Sequence, residues 1–269
     1  MSGAPIFVYH DVVDGPDALA AVAPAHRPYV LTRAQFASHL DALAAADVGD
    51  ATPRASTVSE VLDAPAPGRF VLSVDDGHES NYSEMFPLLA ERRWPATFFV
   101  VAGWVGTRHA LSWAQLRAMA DAGMEIGSHS LTHASIQGCS AAEIRREFGD
   151  SKHMLEDGVG RAVTVASLPR GSSEPRAAAV IQELGYRAFC TSEPGLVGAT
   201  TNPFDAPRIA IKWRTSAAFV TRVLAGHRLT LATLRSSYVM KQVGKRVVGA
   251  ERWRRVRGAM VGAAARAGQ

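Results

Sequence analysis

The sequence predicts an α/β fold in which parallel strands and helices alternate around a barrel. One apolar strand runs into Asp75 and Asp76 within FVLSVDDG, and another runs into His129 and His133 within MEIGSHSLTH. Capped amphipathic helices separate such strands at the pace expected of a parallel barrel. Loops at the carboxyl ends of parallel strands build active sites, so these four side chains are candidates for chemistry.

Each of the two motifs has an alternative interpretation when it is taken alone. An Asp-Gly pair such as Asp76 with Gly77 is common in turns. Two histidines four residues apart lie on one side of a helical turn and can bind one metal ion, but such pairs also occur as solvated surface features. Together, one carboxylate and two imidazoles form a metal triad that leaves positions open for water and substrate.

The order of the motifs resembles the polysaccharide deacetylase family, also called carbohydrate esterase family four or the NodB-homology domain. The matching stretches, within about residues 5–212, are VLSVDDG, PATFFVVAGWVG, WAQLRAMADAGMEIGSHSLTH and SLPRG. The resemblance implies a distorted (β/α) barrel and removal of N-acetyl groups from sugars with a divalent metal, Zn²⁺ before Co²⁺ or Ni²⁺. Asp76, His129 and His133 would hold the metal, and Asp75 would act as the general base.

The loop at SLPRG departs from the family pattern of arginine, any residue, proline, tyrosine and glycine. Pro169 and Gly171 match, Arg170 stands at the tyrosine position and Ser167 at the arginine position. In the family this loop supplies a backbone N–H to the oxyanion, so Arg170 is a candidate catalytic residue and its neighbours line the substrate pocket. The partner that usually orients the catalytic aspartate is missing, and Arg170 or Arg208 could supply that charge from another direction.

Three further histidines are candidates for the pocket. His10 ends the first strand, PIFVYHDV, and relatives that process exopolysaccharides often begin with a similar YH segment. We expect His10 to line the pocket, with a structural role or metal ligation as alternatives. His78 follows the DDG turn and would line the same pocket. Leu224 with His227 is the nearest match to the leucine and histidine pair that supplies the general acid in many relatives, but a helix end at Gly226 also explains it.

The other elements follow from apolar periodicity and capping residues. Thr32 is expected to cap the helix Leu31–Val48, while 49–69 reads as connecting material with a short helix at TVSEVLDA. The later helices and strands are expected, in order, at YSEMFPLLAERRW, PATFFVVAG, SWAQLRAMADAG, Ser140–Gly160, AVTVASLPRG, PRAAAVIQELG, Tyr186–Ser192 and TNPFDAPRIAIKW.

Composition bounds the class of protein. The 269 residues are 47% hydrophobic and 20% charged, which is enough for a sizeable core. The two cysteines, Cys139 and Cys190, are too few for a disulfide framework. No apolar run is long enough to cross a bilayer, and the first residues do not resemble a signal peptide, so we expect a cytoplasmic protein.

The pattern changes after Thr215, and we expect a catalytic barrel over 1–214 and a basic helical extension over 215–269. Eight basic residues and one acidic residue lie from Lys241 to the end. A basic amphipathic helix can lie on an anionic membrane surface, here the inner face, or can simply pack with a solvated basic face. Nucleic acid is not expected as a partner, because no recognised fold or aromatic platform accompanies the charge.

The expected function is therefore metal-dependent hydrolysis of an N-acetyl group on a sugar of a polysaccharide or glycan precursor. The sequence leaves two alternative functions open. The same metal site could open another amide, such as a cyclic imide or ureide, because a fold does not fix its substrate. The departure at Ser167 and the uncertain general acid also leave room for a carbohydrate-binding scaffold without activity.

Overall fold

A curled parallel sheet forms the centre of the fold in the computed structural model, which describes residues 3–171 and 174–248. Its strands follow the order β10-β1-β5-β6-β7-β8-β9, with β4 added beside β5, and a separate pair joins β2 to β3. The strands are β1 (Ile6–Tyr9), β2 (Asp11–Val13), β3 (Val30–Thr32), β4 (Arg54–Ser56), β5 (Arg69–Asp76), β6 (Thr97–Val100), β7 (Glu125–Ser128), β8 (Val165–Ser167), β9 (Ala188–Cys190) and β10 (Ile209–Ala210).

The two ends of this sheet approach each other, so it forms a distorted barrel. A single parallel bridge between Cys190 and Ala206 links the end of β9 to the segment that leads into β10. The backbone N–H of Thr191 donates to the Ala206 carbonyl at 2.8 Å, and the Ala206 N–H donates to Phe189 at 3.1 Å. The predicted α/β barrel is therefore confirmed. A single bridge, rather than a full pair of strands, closes it.

Helices follow most of the strands, and capping residues set where several of them begin. Reciprocal capping boxes pair Thr32 with Gln35 at α2, as the sequence predicts for Thr32, and Ser140 with Glu143 at α6. The helices in the described residues are α1 (Pro16–Ala21), α2 (Arg33–Ala44), α3 (Val58–Asp63), α4 (Phe86–Glu91), α5 (Trp113–Asp121), α6 (Ala141–Val159), α7 (Ala177–Glu183), α8 (Ala217–Leu224) and α9 (Arg228–Val248).

Apolar side chains from the strands fill the barrel interior below the carboxyl ends. Val71, Phe99 and Val165 are fully buried there beside Cys190. Gly127 makes this packing possible, because a Cβ at that position would lie 2.6 Å from Cδ1 of Phe99. The Phe99 ring therefore lies against the bare backbone of β7 and forms part of the floor beneath the strand-end residues.

The chain divides into two units, Met1–His227 and Arg228–Gln269. Helix α8 belongs to the first unit, where it packs against α2. The boundary expected at 214/215 stays a prediction, with the structural division lying thirteen residues further on, after His227. Within the described residues, no helix combines the length and apolarity needed to cross a bilayer.

Candidate active site

The polar side chains that the sequence singles out meet at one edge of the sheet. In the strand register Asp76 lies beside Val100, Val100 beside Ser128, and Ser128 beside Ala166. The strands β5, β6, β7 and β8 therefore end at the same level. Because the strands are parallel, the residues that end or follow them share one pocket.

Asp76, His129 and His133 form a compact cluster. Asp76 Oδ1 lies 3.5 Å from His129 Nε2 and 3.4 Å from His133 Nε2. The three ligand atoms all lie within 4.8 Å of one another, and Asp76 Oδ1 is buried without a hydrogen-bond partner among the described residues. Ligands about 2.0–2.2 Å from a tetrahedral Zn²⁺ would be separated by about 3.4 Å, so this donor set fits a metal ion.

Ser167 fixes the orientation of His129. Its hydroxyl lies 2.6 Å from His129 Nδ1, and its carbonyl oxygen lies 3.3 Å from the same nitrogen. With Nδ1 engaged, the other ring nitrogen, Nε2, faces Asp76. Outer residues of this kind hold metal-binding imidazoles in one orientation in many sites. Sequence reasoning treats Ser167 only as the place of a missing arginine, although its position at the end of β8 could have indicated a contact with the site.

The loop that carries the two histidines is irregular rather than helical. Ser130 and His133 both have left-handed backbone angles, with φ of 67° and 60°. The Ser130 hydroxyl accepts a hydrogen bond from the His133 N–H at 3.0 Å. The expectation that a helical turn brings His129 and His133 together is therefore wrong, because a tight loop with two left-handed residues performs this task. Burial and the charge of His129 lower the pKa of His133 to about 4.

Arg208 supplies the positive charge that an arginine would provide at position 167, where this chain has Ser167. Its Nη1 donates to Asp75 Oδ1 at 2.7 Å and its Nη2 donates to Asp75 Oδ2 at 3.0 Å. Both side chains are almost fully buried, and Nε of Arg208 donates to the carbonyl oxygen of Thr191 at 2.9 Å. Burial alone would raise the pKa of Asp75, but the charge and hydrogen bonds of Arg208 outweigh it and hold that pKa below its ordinary value.

His78 lies on the far side of Asp76 from the two clustered histidines. His78 Nε2 is 3.5 Å from Asp76 Oδ2. Burial lowers the pKa of His78, but its contact with Asp76 outweighs burial and leaves it raised. Burial would raise the pKa of Asp76, yet the hydrogen bond from His78 and the charge of His129 keep it below its ordinary value. Asp76 therefore remains a carboxylate at neutral pH.

His10 lies beside the carboxylates, directly after β1. Tyr9 pairs with Val74 in the sheet register, which places His10 next to Asp75 on the neighbouring strand. Its ring packs against Tyr29 with centroids 4.9 Å apart, and its Nδ1 is buried with no partner in the described part of the chain. Burial lowers the pKa of His10, while the negative charges of Asp76 and Asp75 oppose that change.

Residues of the SLPRG loop border the same edge. Pro169 is buried, and Arg170 and Gly171 both have left-handed backbone angles. The exposed Arg170 side chain does not reach Asp75, since its Nε donates to the carbonyl oxygen of His133 at 3.0 Å. Of the two arginines considered for orienting Asp75, the structure selects Arg208. A role for the Arg170 backbone in oxyanion binding stays a prediction.

His227 is exposed at the carboxyl end of α8, where its N–H donates to the Arg222 carbonyl at 2.9 Å. Its assignment as general acid stays a prediction.

Trp104, which sequence reasoning did not single out, has its ring centroid 5.3 Å from that of His133. Its half-buried ring borders the cluster of Asp76, His129 and His133, a position that no periodicity in the sequence indicates.

Comparisons with known proteins agree on one family. The family model described as polysaccharide deacetylase matches residues 63–189. YxkH of Bacillus subtilis, named as a polysaccharide deacetylase, is 24% identical over 208 residues, which cover 77% of this chain and 71% of that protein. A poly-β-1,6-N-acetyl-D-glucosamine N-deacetylase of Staphylococcus aureus is 24% identical over 202 residues, covering 68% of each chain.

A solved structure shows the same fold. The Streptococcus pyogenes deacetylase PplD, solved in complex with acetate, superposes with a TM-score of 0.68 at 22% sequence identity. The match covers 80% of this chain and 95% of that chain. At this level of identity the likeness establishes the shared architecture of the curled sheet and its helices.

Proposed function

We propose that this chain, a member of the polysaccharide deacetylase family, hydrolyses the N-acetyl group of an amino sugar with the help of a divalent metal ion. The observation that carries this proposal is the cluster of Asp76, His129 and His133, whose unpartnered buried carboxylate oxygen faces two imidazole nitrogens. A mixed set of one oxygen and two nitrogen donors suits Zn²⁺, with Co²⁺ and Ni²⁺ as alternatives.

The ion would be held by Asp76 and by Nε2 of both histidines. When bound, a divalent cation in such a site polarises a carbonyl group and makes a water molecule more acidic. The remaining steps of the reaction depend on side chains that surround the cluster.

Asp75 is the proposed general base. Arg208 holds both of its carboxylate oxygens in place and keeps the group ionised, so Asp75 can accept a proton from the attacking water. Its Oδ2 lies 3.7 Å from His129 Nε2, so the proposed base is close to a proposed metal ligand. The new C–O bond forms at the acetyl carbon as one water proton passes to Asp75.

His10 is the proposed general acid in its protonated form, which the charges of Asp76 and Asp75 favour and burial opposes. Breaking the C–N bond leaves a sugar amine that must gain a proton, and acetate leaves as the other product. His10 lies next to Asp75 in the sheet register and carries a buried ring nitrogen without a partner among the described residues, whereas His227 is exposed beyond the end of α8. His10 therefore accounts better for proton delivery than the residue that sequence reasoning selects.

The proposed substrate class is an N-acetylated saccharide. The names of the relatives support this class, since one acts on poly-β-1,6-N-acetyl-D-glucosamine. The acetate in the solved PplD complex is the small product expected of such a reaction. The half-buried ring of Trp104 beside His133 offers an apolar surface at the rim of the cluster for a sugar ring.

Release of acetate from defined oligosaccharides tests the proposal. Metal-loaded protein is incubated with β-1,6- and β-1,4-linked N-acetylglucosamine oligomers, and mass spectrometry follows the loss of one acetyl mass. Asp76→Asn is expected to abolish the release, while the exposed control Asp157→Asn retains it. Full activity of Asp76→Asn, or ring opening of a cyclic imide without any acetate release, would overturn the proposal.

The place of action is a further part of the proposal. The sequence predicts a cytoplasmic protein at the inner membrane face, acting on a saccharide or glycolipid precursor. Fractionation of cells that express the full gene tests this location, and recovery of the protein outside the cell would contradict it.

A further inference from the structure

Helix α9 has an exposed apolar stripe that the proposed reaction does not use. Five large hydrophobic side chains are exposed among the described residues, and four of them lie on α9. They are Leu229, Val239, Met240 and Val243, with exposed fractions of 73%, 57%, 72% and 53%. A helix advances about 100° per residue, so these four side chains lie within a sector of roughly 100°.

The opposite face of α9 is apolar as well, but its side chains are less exposed. Leu231 is buried, and Leu234 and Tyr238 are half-buried. These three residues lie within about 60° of one another on the far side of the helix from Met240. The exposed stripe is therefore a surface distinct from this less exposed face.

Charge around the stripe has one sign. No Asp or Glu occurs between Asp205 and Glu251, whereas α9 contains five basic residues. Arg228 and Arg235 are exposed and lie at the border of the stripe by helical position. A basic border beside an apolar face is the arrangement of helices that lie in the plane of an anionic bilayer surface.

We infer that α9 binds the surface of an anionic membrane, with Leu229, Val239, Met240 and Val243 inserted among the lipid headgroups. An apolar stripe contributes nothing to nucleic-acid binding, and the absence of acidic residues gives no complementary pairs for a second copy of this helix. The surface therefore fits anionic lipid better than either of those partners. This inference is independent of the deacetylase activity.

Cosedimentation of the full chain with vesicles tests this inference. Binding is measured with vesicles of phosphatidylcholine alone and with vesicles that also contain phosphatidylglycerol. We expect binding to the anionic vesicles, a marked loss at high salt, and at least about a tenfold weaker affinity for the double variant Met240→Glu, Val243→Glu. Arg228→Gln with Arg235→Gln is expected to weaken binding to the anionic vesicles only.

A matched control is available outside α9. Met154 on α6 is the fifth exposed large hydrophobic residue, at 39%, and Met154→Glu is expected to bind vesicles like the wild type. Far-ultraviolet circular dichroism and acetate release verify that each variant is folded. Equal binding by Met240→Glu, Val243→Glu and the wild type would overturn the inference. The inference would also be overturned if the wild type did not bind vesicles but formed a dimer that this variant dissociates. The partner of the stripe would then be a second copy of the chain.

Discussion

Arg208 and Asp75 form a buried ion pair with two hydrogen bonds, although 133 residues separate them in the chain. Arg208 directly precedes β10, and Asp75 lies near the end of β5, two strands away across β1. The guanidinium also lies over the Phe99 ring, 5.3 Å from its centroid. Through this pair, the buried Arg208 holds the candidate catalytic base in one orientation.

Arg208→Met is expected to leave Asp75 buried without a partner. Removing one member of a buried pair costs about 3–5 kcal/mol of unfolding free energy, and loss of a positioned base lowers kcat by about 10²-fold or more. The control is Arg187→Gln, which breaks an exposed pair with Asp63 whose contribution is about 0–1 kcal/mol. Chemical denaturation and acetate release measure the two effects.

In Arg208→Met, the contribution of Asp75 to the pH dependence of the free energy of unfolding should change sign. In the wild type the pKa of Asp75 is lowered, so its contribution is complete above the unfolded pKa of about 3.9 and is lost as pH falls through the folded pKa. Without Arg208, burial raises the folded pKa, so this group lowers stability as pH rises from about 3.9 through that value. Parallel pH profiles for the two proteins would contradict the assigned pair.

Ser167→Ala tests whether the hydroxyl orients His129 for metal binding. Loss of the 2.6 Å contact with Nδ1 is expected to weaken metal affinity by about 10–100-fold, the usual effect of removing an outer partner of a ligand. Competition with a chromophoric chelator measures the affinity. Ser83→Ala, which removes an exposed hydroxyl bound to Glu79, is the control and should bind metal like the wild type. Unchanged affinity in Ser167→Ala would exclude an orienting role.

Comparison of His10→Gln with His227→Gln identifies the general acid. We expect His10→Gln to lower kcat by about 10²- to 10⁴-fold with its metal content retained, because it removes a proton donor and no ligand. Full activity in His10→Gln together with a comparable loss in His227→Gln would instead support the residue that the family pattern indicates. Metal analysis of each purified variant separates loss of the acid from loss of the ion.

Metal binding should also be visible as stabilisation of the folded protein. A ligand at 100 times its Kd adds about 2.7 kcal/mol, and for a unit of this size 1 kcal/mol corresponds to about 2–4 °C in Tm. Chelator-treated protein is therefore expected to gain about 5–10 °C on addition of Zn²⁺. Asp76→Asn should show little of this gain, and an equal shift in that variant would place the ion elsewhere.

The sequence by itself determined the type of fold and the residues at the strand ends. Apolar runs into DDG and SHSLTH mark strands and their carboxyl ends, because local hydrophobicity and turn chemistry are written in neighbouring residues. The cap at Thr32 was predictable for the same reason, since a capping box spans only four residues. Parallel strands then bring their ends to one edge, which made the grouping of Asp76 with His129 predictable.

Only the tertiary structure decided how those residues are supported. The contacts of Arg208 with Asp75 and of Ser167 with His129 join residues 133 and 38 positions apart, and they depend on how the sheet curls rather than on any local pattern. The convergence of the two histidines depends on left-handed angles at Ser130 and His133, which residue type does not specify. Such distances and backbone angles are properties of the packed barrel. The local sequence therefore identifies the candidate reacting groups, whereas the packing of distant strands sets their geometry.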